Sequence, residues 1–112
     1  MTDHKRFFII SGERSGDIHG GMLMNSLKHL NPKIQFSGIG GESMEDGGLQ
    51  SMFPINKMAI VGFVEVIKHL KFFKEVETMV LKKIEEENPD RIILIDFPGF
   101  NLRIAKKIKE QY

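Results

Sequence analysis

Apolar residues follow two patterns along this chain, solid runs and helical steps. Phe7, Phe8, Ile9 and Ile10 form a solid run, which predicts a strand over Arg6 to Ser11 buried on both faces. Ile92, Ile93, Leu94 and Ile95 predict a matching strand over Arg91 to Asp96, and Gln35 to Ile39 a shorter one closed by Gly40 and Gly41. Helical steps lie between them. Ile18, Met22, Leu23, Leu27 and Leu30 predict the inward face of a helix over Asp17 to His29, stopped by Asn31-Pro32. Phe73, Val76, Val80 and Ile84 are the stripe of a helix over Phe72 to Asn88, whose wet side carries Lys82, Lys83, Glu85, Glu86 and Glu87. Leu102, Ala105 and Ile108 predict the inward face of a last helix starting near Asn101, after a tight loop from Phe97 to Phe100. Glu42 to Gly48 reads as a loop or single turn, and Leu49 to Ile55 as irregular or a short strand. Met58 to Phe73 is expected to be helical despite its β-branched residues.

Strands and helices alternate, and the strands are solidly apolar. That combination predicts an α/β fold: a Rossmann-like parallel sheet with helices on both faces. The chain shows no internal repeat and no low-complexity tract. The last helix is still amphipathic at Gln111-Tyr112, and three predicted strands make a thin sheet. Residues 1–112 are therefore expected to be an incomplete domain.

Composition narrows the function classes. The 112 residues are 41% hydrophobic and 28% charged, the balance of a folded chain with an adequate core. A formal net charge of +1 gives no reason to expect nucleic acid as the partner. The absence of cysteine removes disulfides, thiolate metal sites and cysteine nucleophiles, and fits a reducing compartment. No signal peptide is expected, and no apolar run approaches the ~20 residues of a transmembrane helix. His4, His19, His29 and His69 lack metal-ligand spacing, so no metal is expected.

In an open α/β sheet, ligands bind outside the carboxyl ends of the strands. Two polar loops are predicted there. In Gly12-Glu13-Arg14-Ser15-Gly16-Asp17, the glycines allow close approach to a ligand and the following helix offers free N–H groups suited to phosphate. Ser15 can donate to an oxyanion or a sugar hydroxyl, and Glu13 can accept from hydroxyls. The plainer reading is that Ser15 or Asp17 caps the helix. In Ile95-Asp96-Phe97-Pro98-Gly99-Phe100-Asn101, a carboxylate follows four aliphatic residues, and partial burial would raise its pKa toward that of a general base. Pro98 is expected to hold Phe97 extended and so to direct Asp96. The plainer reading has Asp96 bracing the loop and Asn101 capping the last helix. Gly38-Ile39-Gly40-Gly41 begins like a dinucleotide fingerprint, but Ser43 replaces its third glycine. Val64, Val66, Ile67, Leu70, Phe72 and Phe73 exceed what one buried stripe needs, and Lys57, Lys68, Lys71 and Lys74 flank them. That pattern fits a membrane-interface helix, an acyl-chain surface or core packing.

Five strings occur in order: Gly12 to Asp17; Phe36-Ser37-Gly38-Ile39-Gly40-Gly41 with Met44 and Gly47; Val61 to Val66; Pro89-Asp90; and Ile95 to Asn101. Together they resemble the lipid-A-disaccharide synthase family, from Phe8 to about Ala105. The resemblance implies the N-terminal, acceptor-side part of a two-domain GT-B glycosyltransferase whose C-terminal nucleotide-sugar domain lies outside this chain. The implied reaction is inverting transfer of 2,3-diacylglucosamine from its UDP conjugate to the 6-hydroxyl of 2,3-diacylglucosamine 1-phosphate. No cofactor or metal is implied, since the UDP-sugar is a substrate. The implied place is the cytoplasmic face of the inner membrane, peripherally bound. Asp96 matches the family's candidate general base, and Glu13, Ser15, Gly16, Asp17 and Asn101 its substrate loops. The segment around Glu65 matches a region associated with acyl chains and membrane. Arg14, Val61 and Gly99 depart from the usual alanine, methionine and aspartate, and Gly99 weakens any role for a second carboxylate. Another GT-B transferase, a nucleotide-sugar epimerase and a non-catalytic nucleotide- or lipid-binding fragment stay open as alternatives. The 112 residues alone are expected to be inactive.

Overall fold

Residues 4–58 and 70–111 are described by a computed structural model. The element order is β1 (Lys5–Ser11), α1 (Arg14–Leu30), β2 (Ile34–Ile39), α2 (Glu42–Asp46), β3 (Leu49–Ser51), α3 (Leu70–Glu87), β4 (Arg91–Ile95) and α4 (Pro98–Gln111). All strand pairs are parallel, in the order β3-β2-β1-β4. Phe7 sits opposite Phe36 on one side and Arg91 on the other, and Ser11 ends level with Ile95.

The solid apolar runs work as expected because each strand feeds two cores. Phe8 and Ile10 face one side of the sheet, where Val76, Val80 and Ile84 of α3 meet Phe100 and Ile104 of α4. Ile9 faces the other, with Met24 of α1, Phe36, Met44 of α2 and Leu49. Polar contacts tie the first of these layers together. Arg103 of α4 pairs with the buried Glu77 of α3, and Ser37 of β2 donates to Glu87.

The face of α3 is the expected one, with Val76, Val80 and Ile84 buried, whereas those of α1 and α4 depart from expectation. On α1, Ile18, Met22, Leu23 and Leu30 are exposed, Met22 to 66% and Leu30 to 80%. Its inward face is Gly16, Asp17, Gly20 and Met24. The reason is steric: a Cβ at Gly20 would lie 2.6 Å from Met44 Sδ and 3.2 Å from Ile95 Cδ1, so bare backbone is what lets α1 close on α2 and the sheet. On α4, the helix starts at Pro98 rather than Asn101, and the expected loop over Phe97 to Phe100 mostly becomes its first turn. Proline suits a first helical position because its missing N–H would have no partner there. The earlier start changes the buried set to Phe100, Asn101 and Ile104, and leaves Leu102 69% exposed. The stretch Leu49 to Ile55 supplies a fourth strand, β3, at one edge.

The expected helix from Met58 to Phe73 lies largely outside the described residues, as do Val64, Val66 and Ile67. Leu70 and Phe73 belong to α3, but their side chains also lie outside the description. Phe72 is half-buried, packed on the α3–α4 core with its ring centroid 6.5 Å from that of Phe53. Among the described residues, no helix is long and apolar enough to cross a membrane.

After β1 the chain passes to β2 on one side and later returns to β4 on the other. The switch point, where such sheets open a crevice, therefore lies between the carboxyl ends of β1 and β4.

Candidate active site

Residues 12–13 follow β1, and residues 96–97 follow β4. The two connections touch. A Cβ on Gly12 would overlap the Phe97 ring, so glycine at this position admits an aromatic side chain from the neighbouring turn. Gly16 plays a similar part, since a Cβ there would meet Ser11 Oγ at 2.5 Å. The two glycines expected to allow close approach to a ligand make room for the protein's own side chains, and Gly12 also lines an open cleft beside α1. Ser11, fully buried, donates its hydroxyl to the Glu13 carbonyl at 3.1 Å, and the Asp17 N–H donates to the same carbonyl at 2.9 Å. Those bonds set the entry to α1.

Glu13 occupies the N-cap position of α1 without a side-chain capping bond. Its side chain is exposed, as are those of Arg14 and Ser15. The first-turn N–H groups thus keep their capacity for an external acceptor. Gly12, Glu13, Arg14, Asp17 and Ile18 form one wall of an open cleft of about 670 Å³. Gly41, Glu42, Ser43 and Asp46, after β2, form the other, with Ile55 and Asn56 at the end. The rim carries the carboxylates of Glu13, Glu42 and Asp46 against the single guanidinium of Arg14. With the buried Asp17 carboxylate in the wall, four negative charges outweigh one cation and the ~+0.5 charge of a helix N-terminus, so this cleft favours a hydroxyl-rich ligand over a polyphosphate. The β2 wall, with Glu42, Asp46 and Asn56, is absent from the sequence-based candidates. The glycine string ending at Gly41 marks its start, but nothing local marks Glu42 or Asp46, because they become a wall only when α2 folds back beside α1.

Asp17 is 5% exposed and is consumed internally. Oδ1 accepts the N–H groups of Gly41 at 2.8 Å and Met44 at 3.0 Å, and Oδ2 accepts that of Ser43 at 3.0 Å. It therefore caps α2 rather than its own helix, and holds the two walls of the cleft together. The close fit is mutual, since a Cβ on Gly41 would lie 2.8 Å from Asp17 Oδ2.

Asp96 stands at the switch point, next to the Phe97 that packs on Gly12, and is not among the residues lining that cleft. Two expectations about it are corrected. Its side chain is exposed rather than partly buried, because β4 ends one residue earlier at the sheet edge and the chain turns away. Phe97 is not extended: Asp96 has φ 49° and Phe97 φ 53°, both left-handed. Proline usually pushes its predecessor to extended backbone, but here the left-handed conformation lets the chain reverse from β4 into α4 within two residues. Aspartate tolerates this conformation, whereas a bulky residue in it is an outlier costing about 1–3 kcal/mol. Phe97 recovers that through burial against the core, where it is 7% exposed and 6.2 Å from the Phe100 ring.

Asn101 is expected as a cap or a substrate contact, and the structure places it one turn inside α4. Its Nδ2 donates to the carbonyls of Asp96 at 2.7 Å and Ile95 at 3.4 Å. Its Oδ1 is buried without a partner, alone in this among the buried side-chain polar atoms of the described residues, a deficit of about 1–3 kcal/mol. Among the described residues no cluster of three or more His, Asp or Glu side chains could hold a metal ion.

Comparison with known proteins adds a family to this geometry. Residues 7–112 match the family described as lipid-A-disaccharide synthetase. The lipid-A-disaccharide synthase of Trichlorobacter lovleyi is 42% identical over 106 residues, covering 95% of this chain and 28% of that protein. The synthase of Granulibacter bethesdensis is 38% identical over 102 residues, covering 91% of this chain and 26% of that protein. Lipid-A-disaccharide synthase 1 of Legionella pneumophila strain Lens is 35% identical over 111 residues, 99% of this chain and 29% of that protein. The chain spans somewhat over a quarter of the length of these curated relatives.

Proposed function

The chain belongs to the lipid-A-disaccharide synthase family, and from that premise we propose that residues 1–112 form the acceptor-side part of a GT-B glycosyltransferase active site. The reaction joins two acylated glucosamines. The 6-hydroxyl oxygen of 2,3-diacylglucosamine 1-phosphate attacks the anomeric carbon of UDP-2,3-diacylglucosamine. The bond from that carbon to the UDP oxygen breaks, UDP leaves with the electron pair, and the configuration inverts. Asp96 takes the hydroxyl proton. The nucleotide-sugar domain lies in the part of the relatives that this chain does not span, and the chain alone does not turn over.

One observation carries this reading. Asp96 is presented to solvent at the sheet's switch point, on a turn pinned against the first loop by Phe97 and Gly12. An exposed carboxylate there can reach an incoming hydroxyl. The acidic rim of the neighbouring cleft supports a sugar as ligand, with Glu13 in reach of its hydroxyls, and the half-exposed Ile18 gives that cleft an apolar edge, while Ser15 is exposed but does not line the cleft. Contact with acyl chains and with the cytoplasmic face of the inner membrane falls to the segment containing Val64, Val66, Ile67, Leu70 and Phe73. Its support is the density of apolar residues between flanking lysines. Phe72 contributes less to such contact, because its ring already packs on Phe53.

The test uses the full-length protein with both lipid substrates and follows disaccharide formation. Asp96→Asn should lower turnover by ~10²–10⁴, the range of general base catalysis, with little change in KM. A loss below about tenfold would remove Asp96 from the role of base.

A further inference from the structure

We infer that Asn101 is a positioning residue, which holds the Asp96–Phe97 turn in the geometry that presents the Asp96 carboxylate and does not itself meet substrate. This rests on the reading of Asp96 as the base and deepens the account of that site. The observation behind it is a run of three consecutive carbonyls, all bonded to one residue. Nδ2 of Asn101 takes those of Ile95 and Asp96, and its backbone N–H takes that of Phe97 at 3.0 Å. Those three residues are the last of β4 and the two left-handed ones that follow. Asn101 therefore bonds every carbonyl of the reversal between strand and helix.

Burial settles what the side chain can do. Asn101 is 4% exposed, and both Nδ2 protons are aimed at main-chain carbonyls. An amide spent in this way has no donor left for a sugar or a phosphate, and its remaining acceptor, Oδ1, is shut away from solvent. Asp96, by contrast, keeps an exposed side chain on the same turn. Without the amide, the carbonyls of Ile95 and Asp96 lose their donor and the backbone at 96 and 97 is free to relax toward commoner dihedral angles. Relaxation at Asp96 swings its carboxylate, and relaxation at Phe97 withdraws the ring from Gly12.

The experiment is a double-mutant cycle on the full-length protein, with steady-state kinetics for both substrates and circular dichroism to confirm folding. Asn101→Ala should lower kcat about 10- to 100-fold with KM kept within about twofold, and should cost less than about twofold more in the Asp96→Asn background, because a residue acting through Asp96 has nothing left to position. Asn101→Ser, which keeps one donor, should recover at least about threefold of the loss. Should the alanine variant not fold, the serine variant takes its place in the cycle. An equal loss in both backgrounds would overturn the positioning role, as would a rise in KM at unchanged kcat, which marks a substrate contact. Turnover retained by Asp96→Asn is a different result: it overturns the general-base reading and the inference with it.

Discussion

Asp17 gives the sharpest test of how the cleft is built. Its carboxylate accepts three backbone N–H groups at the start of α2, two at Oδ1 and one at Oδ2. The bonds from Gly41 and Met44 are buried, while that from Ser43 is partly open to the cleft. In Asp17→Ala, water can replace the carboxylate at Ser43 but not readily at the other two. A hydrogen bond to a charged group contributes about 1.5–3 kcal/mol, so two irreplaceable ones at the lower end set a loss near 3 kcal/mol. Asp17→Asn is the informative partner. Its amide oxygen can keep both bonds made by Oδ1, uncharged, and its NH₂ group faces the Ser43 N–H, donor against donor. Losing one bond and weakening two should cost about 1–2 kcal/mol. The assay is hydrogen exchange of the amides of Ser43 and Met44, which reports opening of α2 whether or not the whole protein unfolds in one step. At 1.4 kcal/mol per factor of ten, alanine should lower protection about 100-fold and asparagine about tenfold. Protection changing less than about threefold in the alanine variant, or equal losses in the two, would refute the assignment of these three bonds as the hinge between the cleft walls.

Two further outcomes follow from packing. Arg103→Met strips the buried Glu77 carboxylate of its guanidinium partner and should destabilise the full-length protein by about 3 kcal/mol in urea unfolding, with Glu77→Leu in the same chain restoring most of it; no restoration would mean that the pair does not couple α3 to α4. Ile104→Ala should cost about 2–4 kcal/mol and Leu102→Ala under about 1 kcal/mol by the same measurement, and equal losses would contradict the rotational phase of α4 set by its start at Pro98.

The sheet and the buried stripe of α3 were legible in the sequence, and the faces of α1 and α4 were not. Phe7 to Ile10 and Ile92 to Ile95 announce buried strands because both sides of each strand meet apolar neighbours. The same logic fails on α1, where an apolar stripe was read as the buried one. Burial there follows the residues that permit closest approach, Gly16 and Gly20, and a carboxylate that satisfies backbone donors of another helix. Neither carries a hydrophobic signal. Pro98 did hold the information for the start of α4, as a first-turn proline, but read only as a constraint on Phe97 it pointed to a loop. The site divided in the same way. Asp96 and the loop from Gly12 to Asp17 stood out by composition at strand ends, and the structure puts both at carboxyl ends of the sheet. The glycine string ending at Gly41 hinted at a turn, but the wall that Glu42 and Asp46 build and the amide clamp of Asn101 depend on where one element lands relative to another, which no local pattern encodes.

The position of β4 bears on how such a chain survives its own synthesis. Among the described residues, β4 pairs with β1 alone, so one row of its backbone groups faces outward beside Ile92, Ile93, Leu94 and Ile95, all only half-buried. Such edges are ordinarily guarded by lysine, proline or a bulge, and these four residues offer none of them. An aliphatic edge whose charges, Arg91 and Asp96, stand only at its two ends is still a template for another strand along its middle, whether from a later part of a longer protein or from a neighbouring copy. Folding of this sheet is then a race, in which covering that edge promptly separates a productive chain from an aggregate.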